Sequence, residues 1–158
     1  MTNDEPHLFP GDDAVRHVGE GLLARTLPRS EWTHEAHLAA CLWLLRDRPD
    51  IHPEHQLPDI ISSYNASVGG VNSDTEGYHE TITQAYIRLV HDWLSRNDQG
   101  EPLAVLVNAL LRSPLGTRDL LLQHWSAERL FSVAARRSWI DPDLLPLSAG
   151  AGLPQRVS

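Results

Sequence analysis

Lysine is absent from these 158 residues, and all 13 basic side chains are arginine. Without an ε-amine, Schiff-base and lysine-nucleophile chemistry are excluded. A single cysteine, Cys41, excludes an internal disulfide framework and any multi-cysteine zinc finger. Positive charge is in deficit: 13 basic against 21 acidic residues leave a formal charge of -8, the wrong sign for a general nucleic-acid binder. No apolar run approaches the roughly 20 residues that a membrane span needs. The opening Met1-Thr2-Asn3-Asp4-Glu5 is acidic and lacks the cationic and apolar regions of a secretory signal, so the expected compartment is the cytoplasm. A Gly-rich phosphate loop and a Gly-x-Ser-x-Gly elbow are missing too. Thr83 stands where a His-Glu-x-x-His motif starting at His79 would need its second histidine, which removes support for a metalloprotease.

What remains is an ordinary globular composition, 41% hydrophobic and 22% charged, in a chain of one domain's length. No stretch of alternating β-branched and polar residues is long enough to suggest a sheet, and the apolar spacing is helical throughout. A first helix is expected from Asp12 or Asp13 to about Arg25, a second from about Thr33 to Arg46, and a third from about Pro53 to Ala66. A fourth opens at Ser73, where Ser73 and Glu76 have capping-box spacing, and runs to about Arg96. Helical segments then follow Pro102 and Thr117, and a last one runs from Ser126 or Ala127 to about Arg137. The expectation is a single all-α domain, a compact bundle of six or seven helices over residues 11–145. An irregular lead-in covers 1–10 and a flexible tail covers 146–158.

Nine histidines are many for this length, and their positions carry the functional reading. At about 100° per residue, His79 falls on the same face as Ile82, Thr83, Tyr86 and Val90, at the N-terminal end of the fourth helix, with Glu80 at the stripe's edge. On the second helix His34 shares a face with Leu38, Cys41 and Leu45, and His37 lies about 60° to one side. Glu35, Trp43 and Asp47 are expected on the outer side. Three inward imidazoles from two helix openings suit a divalent ion such as Zn²⁺, Fe²⁺, Mn²⁺ or Ni²⁺ with a position left open for water or substrate. His34, His37 and His79 are therefore the candidate metal ligands. Glu80 is a candidate general base or a partner of a ligand, and Tyr78 a candidate acid or substrate hydrogen-bonder. Tyr64, Asn65, Asn72 and Asp74 are placed to line the same mouth, and Cys41 reads as a small core residue.

Two of these segments, Trp32-Thr33-His34-Glu35-Ala36-His37-Leu38 and Gly77-Tyr78-His79-Glu80-Thr81-Ile82-Thr83, resemble the paired H-x-x-H-L and G-Y-H-E-T-I-T motifs of a family of small bacterial all-α proteins. The stretch from Glu128 to Asp143 resembles that family's closing segment, with His124-Trp125-Ser126 departing from a Tyr-Tyr-Ser type sequence. The resemblance implies that His34, His37, His79 and Glu80 occupy motif positions; it names no reaction. The expectation is thus a small helical metal-dependent enzyme acting on a small molecule. Its alternatives are a metal-independent acid–base catalyst (lyase, cyclase or isomerase) built on His79 with Glu80 or Tyr78, and a non-catalytic small-molecule binding module. A homodimer is a further expectation; nucleic-acid and membrane partners are not expected.

Overall fold

The computed structural model describes residues 5–147. Residues 1–4 of the expected lead-in and 148–158 of the expected tail lie outside the described residues. All regular structure among the described residues is helical, as the apolar spacing requires, and no helix there is long and apolar enough to cross a membrane.

Helix α1 (Asp12–Ala24) follows an extended Gly11 and ends at Arg25, which adopts the left-handed conformation at φ 61°. Asp12 and Asp13 sit where the helix dipole favours negative charge. Asp12 also reaches across to accept a 2.7 Å hydrogen bond from the Ala104 amide, joining the start of α1 to the start of α5 (Leu103–Arg112). The lead-in is fastened to α5 as well: Phe9 and the Asn108 side chain exchange two hydrogen bonds of 2.9 Å.

Helix α2 (His34–Asp47) is capped by Thr33, whose side chain accepts from the Ala36 amide, and it packs against α1, α3 (Pro53–Ser67), α4 (Glu80–Asn97) and α5. It is the axis of the main core. That position overturns the expectation that Glu35 and Trp43 face outward: Glu35 is 5% and Trp43 3% exposed. With neighbours on four sides the helix has little outer face left. Trp43 lies against Gly19 of α1, where no side chain obstructs it. Burial works against charge on Glu35, but its own backbone N–H, that of His7 and the Arg118 guanidinium outweigh it and hold the carboxyl below the usual range.

The fourth helix starts seven residues later than its apparent capping box suggests, at Glu80 instead of Ser73. Gly77 is the physical reason. Its φ of +83° interrupts any right-handed helix, and a Cβ there would meet the carbonyl of Val71. Residues 73–78 form a turn instead, in which the Ser73 amide donates to the Glu76 carbonyl and the Tyr78 amide to Asn72 Oδ1. The expected last helix is likewise two short ones, α6 (Ala127–Leu130) and α7 (Val133–Arg137). Ser132 starts a new cap by accepting from the Ala135 amide.

A second, smaller core joins α4 to this C-terminal segment through Ala85, Leu121, Trp125 and Leu130. Trp125 is fully buried, donates its indole N–H to the Ile140 carbonyl and meets Trp139 edge-on at 5.6 Å. Thr81, also fully buried, donates to Ser138 O and accepts from the Ile140 amide.

The Gly19–Trp43 contact is testable. A Cβ at position 19 would run into the Trp43 ring, so Gly19→Ala should destabilise the fold by roughly 1–3 kcal/mol in urea unfolding. An unchanged midpoint would show that the ring moves aside freely.

Candidate functional site

The site is a cleft of two joined chambers. One, of about 450 Å³, has a mixed lining and is the more polar of the two; it is walled by residues 29–37 on one side, the end of α3, and the 70–79 turn with the first turn of α4. The other, of about 320 Å³, is apolar and is walled by side chains including Leu22, Leu38, Leu57 and Ile87. Trp32, His37, Ile61, Ile82 and Thr83 line both chambers and so form their shared boundary.

His37 is the central polar group of that boundary. Its Nδ1 lies 2.6 Å from the Thr33 carbonyl, one turn back on α2. A carbonyl only accepts, so Nδ1 carries the proton and Nε2 is left as a lone pair with no protein partner among the described residues. Trp32 stacks on the ring with centroids 3.8 Å apart and planes 27° from parallel. Burial pushes the imidazole down to about 4, and nearby His34 adds to that push. The ring is exposed at the cleft on one side, with Trp32 stacked on a face, and the protein atoms packed around it set the direction: neutral imidazole.

His34, one turn earlier, lines the apolar chamber and donates from Nε2 to the Gly116 carbonyl at 3.2 Å. Tyr86 meets it edge-on, and burial raises the Tyr86 phenol to about 12. Cys41 lies on the same apolar wall, where burial pushes its thiol up to about 12, so it is inert there and acts as a small hydrophobe.

His79 has a different task. It is the N-cap of α4: Nδ1 accepts from the Ile82 amide at 3.1 Å, while Nε2–H donates to the Leu130 carbonyl at 2.8 Å. Both ring nitrogens are engaged and burial keeps the ring neutral. His79 borders the polar chamber but has no lone pair to offer it. Joining His34 and His37 on an ion would cost it either the helix cap or the bond to Leu130. Among the described residues no group of three His, Cys, Asp or Glu side chains is arranged to hold a metal. The three-histidine centre that the sequence suggests is therefore not assembled by this geometry.

Tyr78 lines the polar chamber and donates a 2.6 Å hydrogen bond to Glu80 Oε1. Burial, then that bond, hold the phenol protonated well above its usual range. The two residues expected to move protons are thus in direct contact, with Tyr78 the one on the chamber wall.

Of the expected mouth residues, Tyr64 and Asn65 line the polar chamber, whereas Asn72 and Asp74 build its frame. Asn72 Oδ1 accepts from Asn65 Nδ2 and from the Tyr78 amide, and its own Nδ2 donates to Ser62 O. Asp74 forms a two-pronged ion pair with Arg137 of α7 at 2.8 and 2.7 Å, and Arg136 donates to the carbonyls of Gly77 and Tyr78. Arg129 of α6 is not part of the lining and donates to Asp141 O. Arg29, Trp32, Ile61 and Glu76 line the cleft without being candidate site residues in the sequence, where Glu76 shows only capping-box spacing with Ser73. Only Trp32, inside the Trp-Thr-His segment, carried a local signal for the cleft.

Two outcomes test the histidine assignments. His79→Ala removes the cap and strands the Leu130 carbonyl, and should cost about 1–3 kcal/mol in chemical unfolding, with His79→Asn recovering part of it by capping. His37 is held neutral with a folded pKa below its unfolded value, so its contribution to stability is full above about 6.5. That contribution is lost as pH falls from there towards about 4. The wild type should therefore lose more stability than His37→Gln over that window; parallel profiles would show that the ring titrates freely. No family model, curated protein or solved structure matches the chain.

Proposed function

We propose that this chain binds a small molecule in the two-chamber cleft, its apolar body in the smaller chamber and a hydrogen-bond-donating group against His37. The observation that carries this reading is the unpartnered Nε2 lone pair of a neutral His37, on the boundary of an apolar and a polar cavity. Apolar walls with a few placed polar groups are the usual make-up of small-molecule sites, and the two volumes fall within the usual size range. A histidine with so depressed a pKa is a poor base at neutral pH and a good fixed acceptor.

A second reading adds turnover without a metal, and the Tyr78–Glu80 contact favours it. A ligand proton can pass to Tyr78 oxygen while the phenolic proton passes to Glu80, which leaves the ligand as an enolate or similar anion. Deuterium exchange at the carbon next to the carbonyl of 4-phenyl-2-butanone, followed by NMR, tests it. Exchange faster than in buffer, and lost in Glu80→Gln, is expected; a rate equal to buffer removes the reading.

Binding itself is tested with 4-phenylbutanol by titration calorimetry. Ile61 is half-buried and borders both chambers, so Ile61→Trp should fill the junction and lower affinity for this probe at least roughly tenfold. Its thermal midpoint should stay within a few degrees of wild type. Equal affinity in the folded variant would place the ligand elsewhere.

A further inference from the structure

The hydrogen-bonding atoms left open in the cleft are of both kinds, and their arrangement narrows the class of ligand. The Tyr64 and Tyr78 hydroxyls are committed to the Leu27 carbonyl and to Glu80, and His79 is engaged at both nitrogens. Asn65 uses one N–H on Asn72 and keeps the other beside its own Oδ1. The Thr83 hydroxyl can donate or accept. Charge is mixed as well: Arg29 and Glu76 both line the polar chamber and both are exposed, so water screens each and neither sign is selected.

At the boundary of the two chambers the pattern is sharper. Trp32 and His37 line both chambers and stack with ring centroids 3.8 Å apart. Each carries one atom without a protein partner among the described residues, and each of those atoms has a single capacity. The indole N–H only donates, and it is not sealed away from solvent. His37 Nε2, with the ring proton on Nδ1 and given to Thr33, only accepts. One donor and one acceptor on two touching rings are matched by a head that carries an acceptor and a donor side by side. An amide does this without ionising. A ketone or a carboxylate answers only the indole, and an ammonium answers only the imidazole.

Resting on the cleft reading above, we infer that the ligand carries a neutral amide head, a carboxamide or a lactam, seated at the boundary of the chambers. Its carbonyl accepts from Trp32 Nε1–H, its N–H donates to His37 Nε2, and its hydrocarbon body lies among Leu22, Leu38 and Leu57.

Calorimetric titration of the full chain near neutral pH with 4-phenylbutanamide and 5-phenyl-2-pentanone tests the inference, because the two differ only in NH₂ against CH₃. The amide should bind roughly fivefold more tightly, as one further neutral hydrogen bond allows. 4-Phenylbutylamine and 4-phenylbutanoate, which share the body and carry opposite charges, should each bind more weakly than the amide. His37→Phe keeps a ring against Trp32 and deletes Nε2; it should bring the amide to within about twofold of the ketone and leave the ketone unchanged. The Trp32 indole N–H resonance, assigned by its absence in Trp32→Phe, should move downfield on saturation with the amide. A ketone that binds as tightly as the amide, a charged analogue that binds more tightly, or an amide preference that survives His37→Phe overturns the inference, as does an indole resonance that stays in place. The comparison of amide with ketone needs no variant and decides by itself. Equal binding of those two, abolished by Ile61→Trp, overturns the inference while keeping the cleft as the binding site. No binding by any of the four removes both.

Discussion

The structure depends on the double engagement of His79. One nitrogen caps α4 and the other holds the carbonyl of Leu130, so a single neutral ring sets where the helix begins and where the C-terminal segment docks. Thr81, two residues on, repeats the same link to Ser138 and Ile140. Side chains at a helix opening normally satisfy orphan amides locally. Here the first turn of α4 does that and also anchors a segment about fifty residues away. A charged imidazole at position 79 could not accept from Ile82, so burial and neutrality of this ring are one requirement.

The same logic divides the histidines by task. His79 has two partners and is structural, whereas His37 has one partner and a spare lone pair at the cleft. Both are histidines near a helix opening, His79 as the N-cap of α4 and His37 in the first turn of α2. The number of nitrogens already occupied is what separates a scaffold residue from a candidate ligand contact, and the backbone carbonyls decide that number: Thr33 for His37, Leu130 for His79.

Much of the bundle was legible from apolar spacing, because α1, α3 and α5 have apolar stripes and α2 an apolar run, bounded by Pro, Gly or capping residues. The start of α4 was not. Ser73 and Glu76 have the spacing of a capping box, and only the backbone of Gly77 reveals that they close a turn. The outward placing of Trp43 and Glu35 failed because a helix wheel assumes one solvent side, and α2 has neighbours all round. At the site, the shared face of His34 and His37 was readable from their three-residue spacing. The separate fate of His79 was not, since its second partner lies in another segment. Arg29 and Glu76 both line a chamber built by distant parts of the chain, and no local pattern marks them as cleft residues.

The turn that walls the polar chamber is fastened from outside by α7, through Arg137 to Asp74 and Arg136 to the carbonyls of Gly77 and Tyr78. Those arginines belong to the segment that Leu130, Ser138 and Ile140 dock onto α4. The shape of the chamber and the folding of residues 127–140 therefore form one cooperative unit. Peeling that segment away would unlatch the wall and expose the tyrosine lining while the α1, α2 and α5 core stayed packed, so the outline of this open cleft is only as stable as the docking of its C-terminal side.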